Sequence, residues 1–151
     1  MSRAGRALAA LWGAFALAAA ASLRPERVCV VVGEDGERVA QVARNEAPDI
    51  FVATQAPPKG TGDAVAKALP SIEGFEGVVV VLYADTPLIT PATLKNLIAA
   101  AAAGPGAVLG FHAFDAGSYG RLIIDETGGL RAIVEAKDAS ESELAIDLCN
   151  S

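Results

Sequence analysis

Short apolar runs alternate with amphipathic segments through the first half of the chain. Val28–Gly33 and Ile50–Thr54 are apolar runs bounded by turn residues, a pattern typical of buried strands. Asp35–Glu46 lies between them with apolar residues at helical spacing, and Ala64–Leu69 continues the alternation as a second helix. Strand–helix–strand order with short connections predicts βαβ units and a mostly parallel sheet with helices on both faces.

The strongest strand signal is Val78–Tyr83, which is β-branched through its centre. Thr90 and Pro91 then predict a helix start, because Thr caps a first turn and Pro fits its first position. Gly104 marks where that helix stops. This segment therefore predicts a third strand followed by its helix.

The pattern changes in the last third of the chain. Arg121–Asp125 and Leu130–Glu135 flank the turn sequence Glu126–Gly129, which predicts a β-hairpin. Ser140 and Glu143 have the spacing of a capping box, which opens a short helix. With no linker or internal repeat, the sequence predicts a single α/β domain.

The first 27 residues allow two interpretations. Arg3 and Arg6 precede an apolar run ending before Ser22, which mimics a secretory signal peptide. Alternatively, this Ala-rich stretch is a helix that packs on the sheet, with three residues on one stripe: Leu8, Leu11 and Phe15. The buried strand that follows favours the helix, so we expect a cytoplasmic chain. The run is too short and too Ala-rich to span a membrane.

Charge and cysteine content narrow the function classes. The 151 residues carry 12 basic and 18 acidic side chains, a formal net charge of −6. No basic patch for nucleic acid is visible, although local backbone donors can still hold a small phosphorylated ligand. Cys29 and Cys149 lack disulfide or zinc spacing and are interpreted as free thiols.

Two loops after predicted strands are candidates for ligand binding, since ligands collect at the carboxyl ends of parallel strands. Asp85 follows Val78–Tyr83 and could hold Mg²⁺ against ligand phosphates, or merely cap a turn. Gln55 precedes a Gly-containing loop and carries both a donor and an acceptor for a base edge. His112, in a strand predicted over Ala107–Ala113, is interpreted as structural.

Five motifs occur in the order and spacing of a known family: Gln55 with Gly60–Gly62, then Leu82–Ile89, Tyr119–Arg121, Ile133–Ala139 and Asn150. Together they resemble the uridylyltransferase domain of the bifunctional N-acetylglucosamine-1-phosphate uridylyltransferase/glucosamine-1-phosphate N-acetyltransferase family. The resemblance covers Val28–Ser151. It implies a Rossmann-like nucleotidyltransferase fold, here as one partial domain over residues 1–151.

The activity implied by this resemblance is transfer of UMP from UTP to N-acetylglucosamine 1-phosphate, with Mg²⁺ as cofactor. The product, UDP-N-acetylglucosamine, would serve peptidoglycan and lipopolysaccharide biosynthesis. Full-length members would be homo-oligomers through a further acetyltransferase domain. No protein nucleophile or general base is expected, because positioning and charge neutralisation carry such transfers.

The resemblance also implies site residues, which contact the uracil, line the nucleotide-sugar site or contact the sugar. In that order they are Gln55, Gly60 and Thr61; Tyr83, Ala84 and Asp85; and Gly120, Glu135 and Asn150. Asp85 is the implied magnesium ligand. Ala84 stands where the family most often has Gly, a change that the backbone tolerates.

Two parts of the family's active site are not recognisable in this sequence. They are a Gly-rich loop with Arg and Lys before Val28, and a further metal-binding Asn beyond Asn150. We therefore expect a chain truncated at both ends, with little activity on its own. Two alternatives stay open: a non-catalytic nucleotide-sugar-binding module, and another sugar nucleotidyltransferase of the same fold.

Overall fold

The computed structural model describes residues 15–86 and 88–150. The chain divides into two compact units, with the boundary between Ala99 and Ala100. Residues 15–21 are helical (α1), in agreement with the predicted Ala-rich helix. Phe15 of its predicted stripe is 52% exposed, so this residue does not pack on the sheet as predicted, and Leu8 and Leu11 lie outside the described residues.

The first unit is built on a parallel strand pair. β1 (Cys29–Gly33) pairs with β2 (Phe51–Gln55) along five residues, and Gly33 is opposite Gln55 at the end of both strands. The connecting helix is α2 (Glu37–Glu46). This confirms the predicted βαβ unit, and it brings the carboxyl ends of two strands to one edge.

Small residues allow α2 to lie close to the sheet. Ala40 and Ala43 of α2 are buried, as is Val32 of β1. Gly36 closes the turn between them, where its N–H donates to the Gly33 carbonyl at 2.9 Å. A Cβ at Gly36 would overlap Val32, so the turn requires glycine for close approach.

Two further helices complete this part of the chain. α3 (Thr61–Ala68) continues into a 3₁₀ turn, Leu69–Ile72. α4 (Pro91–Ala102) begins where Thr90 Oγ1 accepts a hydrogen bond from the Thr93 N–H at 3.2 Å, and its Leu94 is fully buried. The predicted Thr-Pro helix start is confirmed.

The strand predicted at Val78–Tyr83 is wrong. The segment belongs to no strand, and Val78, Val79 and Val81 are 43%, 51% and 50% exposed. Strand preference reflects packing against a paired neighbour rather than a property of the backbone alone. Within residues 15–86 and 88–150 no strand pairs with this segment. Its β-branched composition alone is therefore not enough to form a strand.

The second unit contains a four-stranded antiparallel sheet with the order β3-β6-β4-β5. Its strands are β3 (Gly110–His112), β4 (Arg121–Ile124), β5 (Leu130–Val134) and β6 (Leu148–Asn150). The predicted hairpin is confirmed as β4–β5. The buried apolar side chains of the sheet are Leu122 of β4 and Cys149 of β6. Both units together confirm the α/β class.

The capping box was predicted correctly, whereas one helix and one strand are shorter than predicted. α5 (Glu141–Leu144) has the predicted capping box, in which the Ser140 N–H donates to Glu143 Oε2 at 2.8 Å. α2 begins two residues after Asp35, because the preceding turn occupies that position. The strand expected over Ala107–Ala113 shortens to β3, whose three residues are those that pair with β6.

The described residues also bear on the predictions about membrane spans and about the two cysteines. Among residues 15–86 and 88–150, no helix is both long and apolar enough to cross a bilayer. Cys29 is half-buried, Cys149 is buried, and both are free thiols, as interpreted from their spacing.

The hairpin turn predicts a pH-dependent stability. The Asp125 carboxylate accepts hydrogen bonds from the Thr127 hydroxyl, the Gly129 N–H and the Thr127 N–H, which hold the pKa of Asp125 below its ordinary value of 3.8. Because the folded pKa is the lower one, this contribution is present above about pH 4 and is lost as pH falls through the folded value. We expect Asp125→Ala to remove this part of the pH dependence.

Urea unfolding of both proteins across the acid range measures the effect. The pKa of Glu143 is also lowered, by the hydroxyl and N–H of Ser140, so only the difference between wild type and variant isolates Asp125. Identical pH profiles for the two proteins would contradict this assignment.

Candidate functional site

Gln55 is held in place at the carboxyl end of β2. Its Nε2 donates to the Gly60 carbonyl at 2.8 Å and to Asp63 Oδ2 at 2.9 Å. Both amide hydrogens are therefore used within the loop and helix that follow. Sequence reasoning offered Gln55 both as donor and as acceptor, whereas in this geometry Oε1 is the atom left to face a ligand.

Gly60 and Thr61 form the start of α3. Gly60 has φ +95°, the left-handed region that favours glycine, and its carbonyl also accepts the Ala64 N–H at 3.2 Å. Thr61 is the first residue of the helix and is exposed. The structure thus brings the three residues predicted to contact uracil into one loop, beside the outward-pointing N–H groups of a helix start.

Tyr83, Ala84 and Asp85 lie in a turn rather than at the end of a strand. The Thr86 hydroxyl closes that turn by donating to the Tyr83 carbonyl at 3.0 Å. Ala84 and Asp85 are exposed, and Tyr83 is half-buried. Thr86 takes the capping role that was the alternative interpretation of Asp85.

The Asp85 carboxylate is chemically suited to Mg²⁺. It forms no hydrogen bond or ion pair with the part of the chain that the structure describes, so its oxygens face solvent. Mg²⁺ at phosphate sites uses one or two carboxylates together with substrate oxygens and water. No cluster of three or more His, Cys, Asp or Glu suited to a metal occurs among residues 15–86 and 88–150. A metal at Asp85 would therefore depend on ligand oxygens.

Gly120, Glu135 and Asn150 meet at one end of the second unit's sheet. Gly120 precedes Arg121, which is opposite both Val134 of β5 and Cys149 of β6. Glu135 directly follows Val134, and the Asn150 N–H donates to the Gly120 carbonyl at 3.1 Å. Three residues that are distant in sequence, all predicted to contact the sugar, are therefore neighbours.

Asn150 fills the space that a side chain at position 120 would need. A Cβ added to Gly120 would overlap Asn150 Oδ1 and would lie 3.4 Å from Ile133 Cγ2. Asn150 Oδ1 is buried and has no hydrogen-bond partner among the described residues. An unpaired buried acceptor is costly, so this amide is the polar group of the cluster most in need of a donor.

Arg121 is a residue whose role sequence reasoning missed. It is 3% exposed, and its guanidinium donates to the carbonyls of Ala116, Gly117 and Tyr119. No carboxylate pairs with it in the described part of the chain. Its charge thus holds the loop that delivers Tyr119 and Gly120 to the cluster. Its place in the Tyr119–Arg121 motif, directly before the hairpin, was the signal in the sequence.

The second unit also contains one contact between aromatic rings and one between a histidine and an aspartate. The rings of Phe111 and Tyr119 lie 5.0 Å apart at 89°, an edge-to-face contact. His112 Nδ1 lies 3.1 Å from Asp147 Oδ2, with both side chains exposed, which agrees with a structural interpretation of this histidine.

The candidate residues thus form two sets. The first set belongs to the first unit: Gln55, Gly60, Thr61, Tyr83, Ala84 and Asp85. The second belongs to the second unit: Gly120, Glu135 and Asn150. Gln55, Gly60 and Thr61 share one loop, Tyr83, Ala84 and Asp85 share one turn of the same unit, and Gly120, Glu135 and Asn150 are neighbours in the second unit.

Comparison with known proteins gives one family. The model of the MobA-like NTP transferase domain matches residues 10–141. The chain is 48% identical over 139 residues to the bifunctional protein GlmU of Dinoroseobacter shibae, covering 91% of this chain and 31% of that protein. It is 50% identical over 138 residues to the bifunctional protein GlmU of Cereibacter sphaeroides, covering 90% and 30%. The chain therefore spans about 30% of the length of these relatives.

These matches correct the predicted extent of the resemblance. The family match begins at residue 10, inside the Ala-rich run, rather than at Val28. Few motif residues mark this stretch, which is why the sequence motifs alone placed the boundary too late. The match supports the interpretation of the run as a helix of the domain.

The contact between positions 120 and 150 predicts the effect of a single methyl group. In Gly120→Ala the added Cβ must displace the Asn150 amide or shift its strand, and such overpacking costs about 1–3 kcal/mol of unfolding free energy. Gly106→Ala is the matched control, because a Cβ there meets nothing within 4 Å. Urea unfolding of both variants makes the comparison, and equal stability of the two would contradict the packing described.

Proposed function

Because this chain belongs to the MobA-like NTP transferase family, we propose that it forms the nucleotide-sugar-binding part of a uridylyltransferase. The proposed reaction transfers UMP from UTP to N-acetylglucosamine 1-phosphate and releases pyrophosphate. Support comes from the motif order and from 42–50% identity to proteins named GlmU. The proposed residence is cytoplasmic, where both substrates would be available.

The observation that carries this proposal is the assembly of Gly120, Glu135 and Asn150. The Asn150 amide oxygen is a buried acceptor without a partner among the described residues, and Glu135 adds an exposed carboxylate, so the cluster offers acceptors for hydroxyl groups. A sugar presents hydroxyl donors and acceptors of this kind, and a site built for them rejects analogues that leave its polar groups unpaired. Their assembly supports sugar recognition by the second unit.

The proposed chemistry needs positioned groups and no protein nucleophile. A phosphate oxygen of N-acetylglucosamine 1-phosphate attacks the α-phosphorus of UTP, a new P–O bond forms, and the bond to the β-phosphate oxygen breaks as pyrophosphate leaves. Gln55, Gly60 and Thr61 would hold the uracil, while the sugar cluster would hold the acceptor. Orientation of the bound substrates lowers the entropic cost of such a transfer.

Asp85 is the residue proposed to bind Mg²⁺ together with substrate phosphates. Bound there, the metal would supply charge neutralisation at the phosphate oxygens. Asp85 itself would hold the phosphates in position through that ion. Its exposed carboxylate, which contacts none of the described residues, leaves it available for this task.

The uracil assignment predicts base selectivity. UDP-N-acetylglucosamine should bind more tightly than its ADP counterpart, by about 1–3 kcal/mol, because the wrong base leaves the polar groups of the loop unpaired. Gln55→Ala should reduce this difference. Gln41→Ala is the control, because the Gln41 amide donates only to Asn45 within its own helix. Calorimetry supplies the affinities, and equal binding of both ligands by wild type would remove Gln55 from the site.

The reaction assignment predicts the behaviour of the 151-residue chain in an assay of pyrophosphate release. With UTP, N-acetylglucosamine 1-phosphate and Mg²⁺, we expect little or no turnover, because no Gly-rich loop with Arg and Lys is recognisable in residues 1–27. Loss of even one preorganised charge-stabilising donor costs about 10²–10³ in rate.

Asp85→Asn serves as the control for that assay. Robust turnover by wild type that Asp85→Asn abolishes would contradict the expected inactivity while supporting the metal assignment. Binding of UDP-N-acetylglucosamine without any turnover would favour the alternative of a non-catalytic binding module. Turnover with another nucleoside triphosphate instead of UTP would favour a different sugar nucleotidyltransferase.

A further inference from the structure

We propose that Asp63 is a positioning residue that sets the base preference of Gln55. This inference rests on the proposed function, in which Gln55 contacts the base. Asp63 lies in the first turn of α3, and its Oδ2 accepts a hydrogen bond from Gln55 Nε2 at 2.9 Å. The contact is half-buried and joins the end of β2 to the helix that follows it.

The two acceptors around Nε2 determine which way the Gln55 amide faces. The Gly60 carbonyl lies 2.8 Å from Nε2, and the Asp63 carboxylate occupies the second hydrogen of the same nitrogen. Turning the amide by half a rotation would place Oε1 against two acceptors, which have no hydrogen to give. Hydrogen bonds to a carboxylate are stronger than those between neutral groups, so Asp63 provides the firmer of the two restraints.

Because its amide orientation is fixed, Gln55 can accept a hydrogen bond from a ligand but cannot donate one. With Nε2 held inward, only the acceptor Oε1 is presented to a ligand. The N3 atom of uracil carries a hydrogen and can donate to it, whereas the N3 atom of cytosine is itself an acceptor. The two bases have the same ring size, so this edge is where Asp63 makes the site distinguish uridine from cytidine nucleotides.

Loss of the carboxylate acceptor should loosen this discrimination. In Asp63→Ala one hydrogen of Nε2 becomes free, and the amide can turn to donate to the N3 atom of cytosine. Asp63→Asn keeps an oxygen at this position and should restore the restraint. A purely structural role for Asp63 would predict no such rescue and no change in relative base affinity.

The test is titration of the full 151-residue chain with UDP and with CDP. Wild type should prefer UDP, and Asp63→Ala should lower the ratio of the two affinities about tenfold, the effect of roughly one hydrogen bond. Asp63→Asn should keep the ratio near that of wild type. Asp49→Ala, at an exposed aspartate in a different turn, is the charge-matched control and should leave the ratio unchanged. An unchanged ratio in Asp63→Ala would overturn the inference.

A ligand-free measurement tests the restraint on the Gln55 amide directly. The side-chain amide hydrogens of Gln55, observed by ¹⁵N NMR, should exchange slowly in wild type and faster in Asp63→Ala. If Gln55→Ala leaves both affinities unchanged, or wild type binds neither nucleotide, the proposed function fails and the base preference with it. If Gln55→Ala removes the preference for UDP but Asp63→Ala does not, only the role of Asp63 is overturned.

Discussion

The parallel pairing of β1 with β2 determines where Gln55 and the loop that follows it lie. Both strands end at the same level, with Gly33 opposite Gln55, so the loops that follow them leave from one edge. Gln55 is consequently both the last residue of a paired strand and the first residue of the candidate uracil loop. A rigid strand positions such a side chain more precisely than a free loop would.

In the second unit the buried guanidinium of Arg121 positions the loop before Gly120. β4 pairs with β5 on one side and β6 on the other, so Arg121 is central to the sheet and almost fully desolvated. An unpaired buried guanidinium is costly, and the carbonyls of residues 116, 117 and 119 offset that cost by ordering themselves around it. The hydrogen bonds from Arg121 therefore fix the conformation of the loop before Gly120. The position of Gly120, in the proposed sugar cluster, follows from this arrangement.

Interactions that are local in sequence were predictable, and those that depend on a distant partner were not. The β4–β5 hairpin and the Ser140–Glu143 capping box follow from turn chemistry within a few residues. Val78–Tyr83 has strand composition, but its outcome depends on a neighbour that composition does not specify. The family resemblance implied Gly120 and Asn150 as site residues. Their direct contact, and the part of Arg121 in it, emerged only from the sheet register.

Electrostatics explain why a base, rather than a phosphate, suits the loop at the start of α3. A helix N-terminus favours anions through its unpaired N–H groups. Here, however, Asp63 already places a carboxylate in the first turn, and the chain carries a net charge of −6. A second anion beside Asp63 would meet like-charge repulsion, whereas an uncharged uracil would not. If Gln55 binds the base as proposed, the acidic residue that orients it would also disfavour the nucleotide's phosphates at this helix start, and those phosphates would instead suit a metal of the kind that Asp85 is proposed to bind.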